Sequence, residues 1–174
     1  MKTLYLFRHG KSSWRDRNLP DFDRPLKQRG IDAAHLIGNH MVSRGMRPDV
    51  ILCSSAARTQ ETLKYLQEEM GGEPEVHIDR SLYLAGPNRI IRQLSKISPN
   101  IESVMVIGHN PGLQFLAMEL TSGAGEARGR LGKKFPTAAL AVMTCEQPSW
   151  STIRPGSFTL QEYLTPKTLQ LETV

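Results

Sequence analysis

The stretch Val104-Met-Val-Ile-Gly-His-Asn-Pro111 does most to decide the fold prediction. Its first four residues are apolar, which predicts a strand buried on both faces of a sheet. Asn110 and Pro111 then predict the start of a helix, with Asn110 as the N-cap and Pro111 in the first helical position. A buried strand that leads directly into a helix is typical of an α/β fold.

The same alternation extends outward in both directions. Further strands are predicted at Thr3–Phe7, Val50–Cys53, Glu75–Ile78 and Ala138–Thr144. Helices are predicted over about Leu26–Ser43, from Ala56 to Met70, and around Ile90–Ile97. The segment Gly123–Lys134 contains four glycines and four Arg or Lys residues, which favours a mobile basic loop. The pattern predicts an α/β three-layer sandwich, with a mostly parallel central sheet and helices on both faces.

Length and composition narrow the function classes. The 174 residues fit a single domain, and a net charge of +5 suits an anionic substrate such as a phosphate. Dispersed basic residues and only 6% aromatic residues argue against nucleic acid as the partner. The sequence shows no signal peptide and no membrane span, and its two cysteines, Cys53 and Cys145, lack metal-binding spacing. These features predict a cytoplasmic protein without a membrane partner, and they leave the oligomeric state open.

Chemically capable side chains follow three of the predicted strands. Arg8 and His9 end the first strand, Arg58 lies just after the second, and His109 ends the strand quoted above. Ligands of open α/β sheets bind beyond the carboxyl ends of the strands, so these side chains are expected to converge. With Ser55 as the N-cap, Arg58 would lie in a first helical turn, where the helix dipole disfavours a cation unless an anion binds there.

Each residue alone has an ordinary structural explanation, because a lone histidine or arginine is usually not catalytic. Together, two histidines and two arginines suit phosphoryl transfer better than metal binding. Arginines repel a divalent cation, whereas they donate paired hydrogen bonds to phosphate oxygens. A neutral imidazole can attack phosphorus and form a phosphohistidine that water then cleaves. We therefore predict His9 as the nucleophile in a phosphate pocket formed by Arg8, Arg58 and His109.

These residues resemble the histidine phosphatase superfamily, the phosphoglycerate mutase-like clan. Its Arg-His-Gly motif is matched by Arg8-His-Gly10, and its third motif by Gly108-His-Asn-Pro111. A second motif, a serine followed by Arg-Thr and a further threonine, is matched by the residues Ser54, Arg58, Thr59 and Thr62. The three motifs occur in the right order over most of the chain. The short length and the segment Asp21–Gly30 are most similar to the SixA-like phosphohistidine phosphatases.

The resemblance implies an enzyme that uses neither metal nor cofactor and acts on phosphohistidine in a protein. It also implies that Arg24 faces the phosphate. Larger members of the superfamily carry an acidic proton donor in a region that corresponds to Leu82–Pro87, and no carboxylate occurs there. Two alternatives remain open: a phosphatase of the same superfamily that acts on small aryl or sugar phosphates, and a non-catalytic phosphate-binding module.

Overall fold

The computed structural model describes residues 1–172 and contains six strands and six α-helices within them. The strands are β1 (Lys2–Arg8), β2 (Val50–Ser54), β3 (Glu75–Asp79), β4 (Ser103–Gly108), β5 (Leu140–Cys145) and β6 (Thr159–Leu164). The helices are α1 (Gln28–Ser43), α2 (Ala57–Met70), α3 (Pro87–Leu94), α4 (Gly112–Leu120), α5 (Glu126–Lys133) and α6 (Pro166–Glu172). Short 3₁₀ turns occur at Asp21–Asp23, Arg80–Leu82 and Trp150–Thr152. In this part of the chain, no helix is long and apolar enough to cross a membrane.

The six strands form one sheet in the order β3-β2-β4-β1-β5-β6. Strands β3, β2, β4 and β1 are parallel to one another, whereas β5 and β6 run antiparallel. Because β1, β2 and β4 are adjacent and parallel, their carboxyl ends meet at one edge of the sheet. The predicted α/β class and the mostly parallel sheet are therefore confirmed.

Two apolar clusters cover the two faces of the sheet. Successive strand residues point to opposite faces, so Leu4 and Leu6 of β1 pack with α3, α4 and α5. Tyr5 and Phe7 pack instead with α1, α2 and α6. Strands buried on both faces need apolar residues at every position, which explains the continuous apolar runs of β1, β2 and β4. The predicted three-layer arrangement is thus confirmed.

The prediction of a mobile loop at Gly123–Lys134 is wrong, because most of this segment forms α5. Its glycines lower helix propensity, but tertiary contacts outweigh that cost. The Leu131 side chain is completely buried in the core. Arg128 also donates from Nη2 to the carbonyl oxygens of Met118 and Thr121, both at 3.2 Å, and so ties α5 to the end of α4.

Two predicted helix starts also differ from the structure. α2 has Ala56 rather than Ser55 as its N-cap, and α4 has Pro111 rather than Asn110. Asn110 still caps the helix in part, since its Oδ1 accepts from the Gln114 backbone N–H at 3.3 Å. Arg58 remains in the first turn of α2, so the argument from the helix dipole is unaffected.

Candidate active site

His9 lies at the carboxyl end of β1 and is only 6% exposed. Its Nδ1 is 2.7 Å from the carbonyl oxygen of Gly10, and its Nε2 is 3.3 Å from Nε of Arg58. Arginine can only donate, so Nε2 accepts and the ring proton resides on Nδ1, from which it is donated to Gly10. The Nε2 lone pair therefore points toward the arginine.

Burial lowers the pKa of His9 to about 4. The hydrogen bond to Gly10 opposes this shift, whereas the charges of Arg58, Arg8 and Arg24 reinforce it. An imidazole with this pKa is neutral at pH 7, and a neutral ring is the nucleophilic form. The arginine charges therefore favour the neutral ring of His9, although burial is the larger cause.

Arg58 is 4% exposed and lies between the two histidines. Its Nη2 is 3.3 Å from Nδ1 of His109, and its Nη1 donates to the backbone oxygen of Asp21 at 2.8 Å. His9 and His109 have their ring centroids 5.3 Å apart. The topology therefore brings the side chains that follow three strands into contact, as the sequence predicts.

His109, 3% exposed, is fixed from behind by Ser54 at the end of β2. Its Nε2 is 2.7 Å from the Ser54 hydroxyl. Because Nδ1 accepts from Arg58, Nε2 carries the proton and donates it to Ser54. Burial, together with the nearby His9 and the Arg58 charge, lowers the pKa of His109 to about 3.

Arg8 completes the cluster from the end of β1. Its Nη1 donates to the backbone oxygen of Phe135 at 2.9 Å, which orients the guanidinium. Among residues 1–172, its buried Nε has no hydrogen-bond partner. A buried donor without a partner is costly, and an anion bound beside it would remove that cost. We refer to Arg8, His9, Arg58 and His109 as the histidine–arginine cluster.

Two residues that sequence reasoning did not place at the site lie at its mouth. The Asp21 carboxylate accepts from Nη2 of Arg58 at 3.0 Å and from the Tyr83 hydroxyl. The Tyr83 ring also meets His109 edge to face, with centroids 5.4 Å apart. The sequence offers no local signal for Tyr83, which lies in the carboxylate-free stretch Leu82–Pro87. The contact between Asp21 and Arg58 joins residues 37 positions apart in the sequence, which no local pattern indicates.

The charge state of Asp21 follows from these contacts. Partial burial alone would raise the pKa of Asp21, but hydrogen bonds from Tyr83, Arg58 and Arg24 and the Arg58 charge together lower it. Burial and the Asp21 carboxylate raise the pKa of Tyr83. At neutral pH the pair therefore consists of a carboxylate and a protonated phenol.

Arg24 lies beside the cluster and is 5% exposed. Its guanidinium donates to the Asp21 carboxylate at 3.0 Å, to the Ser13 backbone oxygen at 3.2 Å and to the Ser12 hydroxyl. It also stacks on the ring of Trp14. These contacts hold the loop that carries Asp21, and direct contact between Arg24 and phosphate stays a prediction.

The cluster can bind a phosphate and present a nucleophile to it. Arg8 and Arg58 supply positive charge and N–H donors, and Nε2 of His9 supplies the lone pair. Residues 1–172 contain no group of three or more His, Cys, Asp or Glu side chains that could hold a metal ion. The donors at this site are those that bind an anion.

Comparisons with known proteins agree with this geometry. The model of the histidine phosphatase superfamily (branch 1) matches residues 4–83, which include Arg8, His9 and Arg58. An uncharacterized protein of Mycobacterium tuberculosis is 32% identical over 163 residues, covering 92% of this chain and 99% of that protein. An uncharacterized chloroplastic protein of Arabidopsis thaliana is 34% identical over 95% of this chain and 78% of its own length.

Solved structures show the same fold. A putative phosphohistidine phosphatase SixA from Nakamurella multipartitia superimposes with a TM-score of 0.82 at 26% identity, over 95% of this chain and 96% of that one. The putative phosphohistidine phosphatase SixA from Agrobacterium tumefaciens gives 0.77 at 29% identity, over 95% and 99%.

Proposed function

The chain belongs to the histidine phosphatase superfamily, and we propose that it is a phosphatase that removes phosphate from phosphohistidine in a protein. The single observation that carries the proposal is the state of His9. Its Nε2 is unprotonated and faces Arg58 at 3.3 Å, while Nδ1 is anchored to Gly10. A fixed, neutral imidazole beside phosphate-binding donors is the arrangement that nucleophilic attack on phosphorus requires.

The first step transfers the phosphoryl group between two imidazoles. Nε2 of His9 attacks phosphorus, and a new N–P bond forms as the N–P bond of the substrate breaks. The substrate imidazole leaves with the electron pair of that bond, and it is neutral if its other ring nitrogen carries a proton. Because attacking and leaving groups are the same kind of nitrogen, this step needs no proton delivered to the leaving atom.

The second step is hydrolysis of the phosphorylated His9. Water attacks phosphorus, the bond to Nε2 breaks, and both hydrogens of the water leave with the phosphate as H₂PO₄⁻. His9 returns to its neutral form with the proton still on Nδ1. The hydrogen bond to Gly10 keeps the same tautomer throughout, so Nε2 is available for the next cycle.

Arg8 and Arg58 stabilise the transferring group in this proposal, and His109 orients the Arg58 guanidinium through its Nδ1. The charge of the transferring group lies on the equatorial oxygens, which fixed donors in a buried site stabilise better than water does. Arg8 Nε, buried and unpartnered among the described residues, is one such donor. The arginines supply the positive charge that other phosphatases obtain from metal ions, so the proposed reaction needs no metal.

The choice of phosphohistidine over alkyl phosphates depends on whether the site holds a proton donor for the leaving group. An alkoxide leaving group needs a general acid, which typically contributes about 10²–10⁴-fold. The Asp21 carboxyl contacts Arg58 of the cluster, and its lowered pKa means that it holds no proton at neutral pH. The similarity of this fold to the two putative phosphohistidine phosphatases SixA supports the same choice.

One observation favours the small-molecule phosphatase as a second candidate. The Tyr83 hydroxyl is protonated and lies at the mouth of the cluster, hydrogen-bonded to Asp21. In that candidate Tyr83 would donate a proton to an alkoxide and Asp21 would stabilise the pair. Such an enzyme would act on sugar phosphates as readily as on aryl phosphates.

A series of phosphate monoesters with graded leaving-group pKa separates the two candidates. We expect kcat/KM to fall steeply as the leaving-group pKa rises, with high activity on phosphohistidine and aryl phosphates. A flat series that becomes steep in Tyr83→Phe would establish the general acid and overturn our proposal. Activity that EDTA abolishes and zinc or magnesium restores would also contradict it. Phosphate binding without turnover of any substrate would identify a binding module.

A further inference from the structure

A second cavity lies on the same sheet edge as the histidine–arginine cluster. It encloses about 930 Å³ between α1, the end of α5, and the segment from β6 into α6. Its charged lining consists of five cations and one carboxylate, namely Lys11, Arg29, Arg130, Lys134, Lys167 and Asp32. We call this cavity the basic groove.

The sheet register places the groove beside the site. Phe7 of β1 pairs with Leu140 of β5, which in turn pairs with Leu164 at the end of β6. The end of β6 therefore lies at the edge where β1 presents Arg8 and His9. Two strand spacings separate β1 from β6, which is about 10 Å. Lys11 follows His9 by two residues and lines the near end of the groove.

The cations of the groove differ from Arg58 of the cluster, which pairs with Asp21, in having no acidic partners. All five are exposed, and within residues 1–172 none of them forms an ion pair. The one carboxylate, Asp32, accepts a hydrogen bond from Gln28 at 2.9 Å. The groove therefore presents uncompensated positive charge, which attracts an anionic surface and speeds its association.

Tyr163 forms the floor of the groove and is held there by two contacts. Tyr163 is 4% exposed, and its hydroxyl donates to the backbone oxygen of Lys134. The Arg130 guanidinium lies 5.5 Å from the centre of the Tyr163 ring. Tyr163 is also the only aromatic residue among those lining the groove, all of which are described. A buried ring cannot stack on a base, so the groove suits carboxylates better than a nucleic acid.

From this charge and position we propose that the basic groove docks an acidic segment of the phosphorylated protein substrate, next to its phosphohistidine. The inference rests on the proposed function. With the phosphate at His9, a carboxylate three or more residues away in an extended chain reaches the groove, since three residues span about 10 Å. The groove thus selects among phosphohistidine proteins, whereas the cluster carries out the reaction on any of them.

Two synthetic peptides with a central phosphohistidine test the proposal. One carries four glutamates and the other four glutamines, at the third to sixth positions from the phosphohistidine. The groove variant is Lys134→Glu with Lys167→Glu. The matched control is Lys64→Glu with Lys96→Glu, which makes the same charge change at exposed lysines that do not line the groove. Phosphate release gives kcat/KM for each pair, and an aryl phosphate reports on the cluster alone.

The wild-type protein is expected to prefer the glutamate peptide by about tenfold, less so at high salt. The groove variant should lose this preference and keep its aryl phosphatase activity, while the control keeps both. Equal rates of the wild-type protein on the two peptides would overturn the docking site alone. The same would follow if the groove variant and the control variant lost the preference for the glutamate peptide equally. Aryl phosphatase activity without hydrolysis of either peptide would overturn the protein-substrate proposal and the docking site with it. If the wild-type protein showed no preference between the peptides and an RNA oligonucleotide inhibited it, the groove would be assigned to nucleic acid instead.

Discussion

The histidine–arginine cluster and the basic groove lie at the same sheet edge, but the positive charge is buried in the cluster and exposed in the groove. Arg58 in the cluster is 4% exposed, and its guanidinium contacts Asp21 and both histidines. In the groove, cations such as Lys134 and Lys167 are exposed and have no acidic partner within the described residues. A buried, oriented charge stabilises a transition state, whereas an exposed charge acts at longer range and is screened by salt.

The difference suggests a division between chemistry and recognition. Changes in the cluster should lower activity on every substrate, because each substrate passes through the same phosphorylated intermediate. Changes in the groove should affect only substrates with an acidic segment. Replacing two exposed lysines of the groove should therefore change kcat/KM by about tenfold at most, whereas replacing a buried group of the cluster should change it much more.

Replacing the nucleophile should have the largest effect. His9→Ala removes the covalent route, and we expect kcat to fall by about 10⁴-fold or more on all substrates. The matched control is His77→Ala, since His77 is exposed on β3 and contacts Glu75. Steady-state rates and circular dichroism spectra of both variants provide the measurement. Activity of His9→Ala within tenfold of wild type would remove His9 from the mechanism.

Arg58→Ala should have the next largest effect. Loss of an oriented, buried donor typically costs about 2.7–4 kcal/mol of transition-state stabilisation, or about 10²–10³-fold in kcat. Arg44→Ala is the control, because Arg44 is exposed and its ion pair with Glu162 contributes little. The loss in Arg58→Ala should be the same for aryl phosphate and for phosphohistidine peptides. A loss confined to the glutamate peptide would place Arg58 in recognition and break the proposed division.

The protonation of His9 gives a third test. Its pKa is lowered to about 4, against about 6.5 for a free imidazole. The unfolded chain therefore binds a proton that the folded protein does not bind as pH falls from about 6.5. Stability contributed by neutral His9 is present above pH 6.5 and falls by about 3 kcal/mol by pH 4. Imidazole NMR shifts of the folded protein should show His9 still neutral at pH 5.5, and a midpoint near 6.5 would contradict this account.

The smallest predicted effects are the stability changes on replacing two helical glycines, one beside the cluster and one beside the groove. They show how tightly the two regions are packed. A Cβ added at Gly112, where α4 begins beside the cluster, would lie 1.8 Å from the backbone oxygen of Ala85. A Cβ at Gly129 in α5, the helix beside the groove, would meet nothing within 4 Å. Gly112→Ala should destabilise the protein by about 1–3 kcal/mol, and Gly129→Ala should stabilise it by up to about 1 kcal/mol. Urea unfolding measures both, and equal effects would show that the two regions are packed alike.

The sequence was most informative where a structural rule forces residues together. Apolar runs identified β1, β2 and β4, and adjacent parallel strands must end at one edge, so the meeting of Arg8, His9, Arg58 and His109 was predictable. The orientation of the His9 ring could not be predicted from the sequence. It depends on a carbonyl oxygen of the next residue and on a guanidinium from another element, which no local pattern encodes.

The missed features depend on contacts between distant parts of the chain. α5 forms despite its glycines because Leu131 is buried and Arg128 bonds to the end of α4. Tyr83 reaches Asp21 across 62 positions of sequence, and neither residue signals the other. The groove likewise combines residues of α1, α5 and α6 that look like ordinary solvated charges when each is considered alone.

Trapping of the intermediate tests the central claim most directly. The wild-type protein is mixed with a phosphohistidine peptide, quenched in alkaline denaturant to preserve N–P bonds, digested and analysed by mass spectrometry. The account predicts phosphate on Nε2 of His9, in the peptide that also contains Arg8, and none in His9→Ala. Phosphate on a serine, on His109, or on no residue of the protein during active turnover would contradict it.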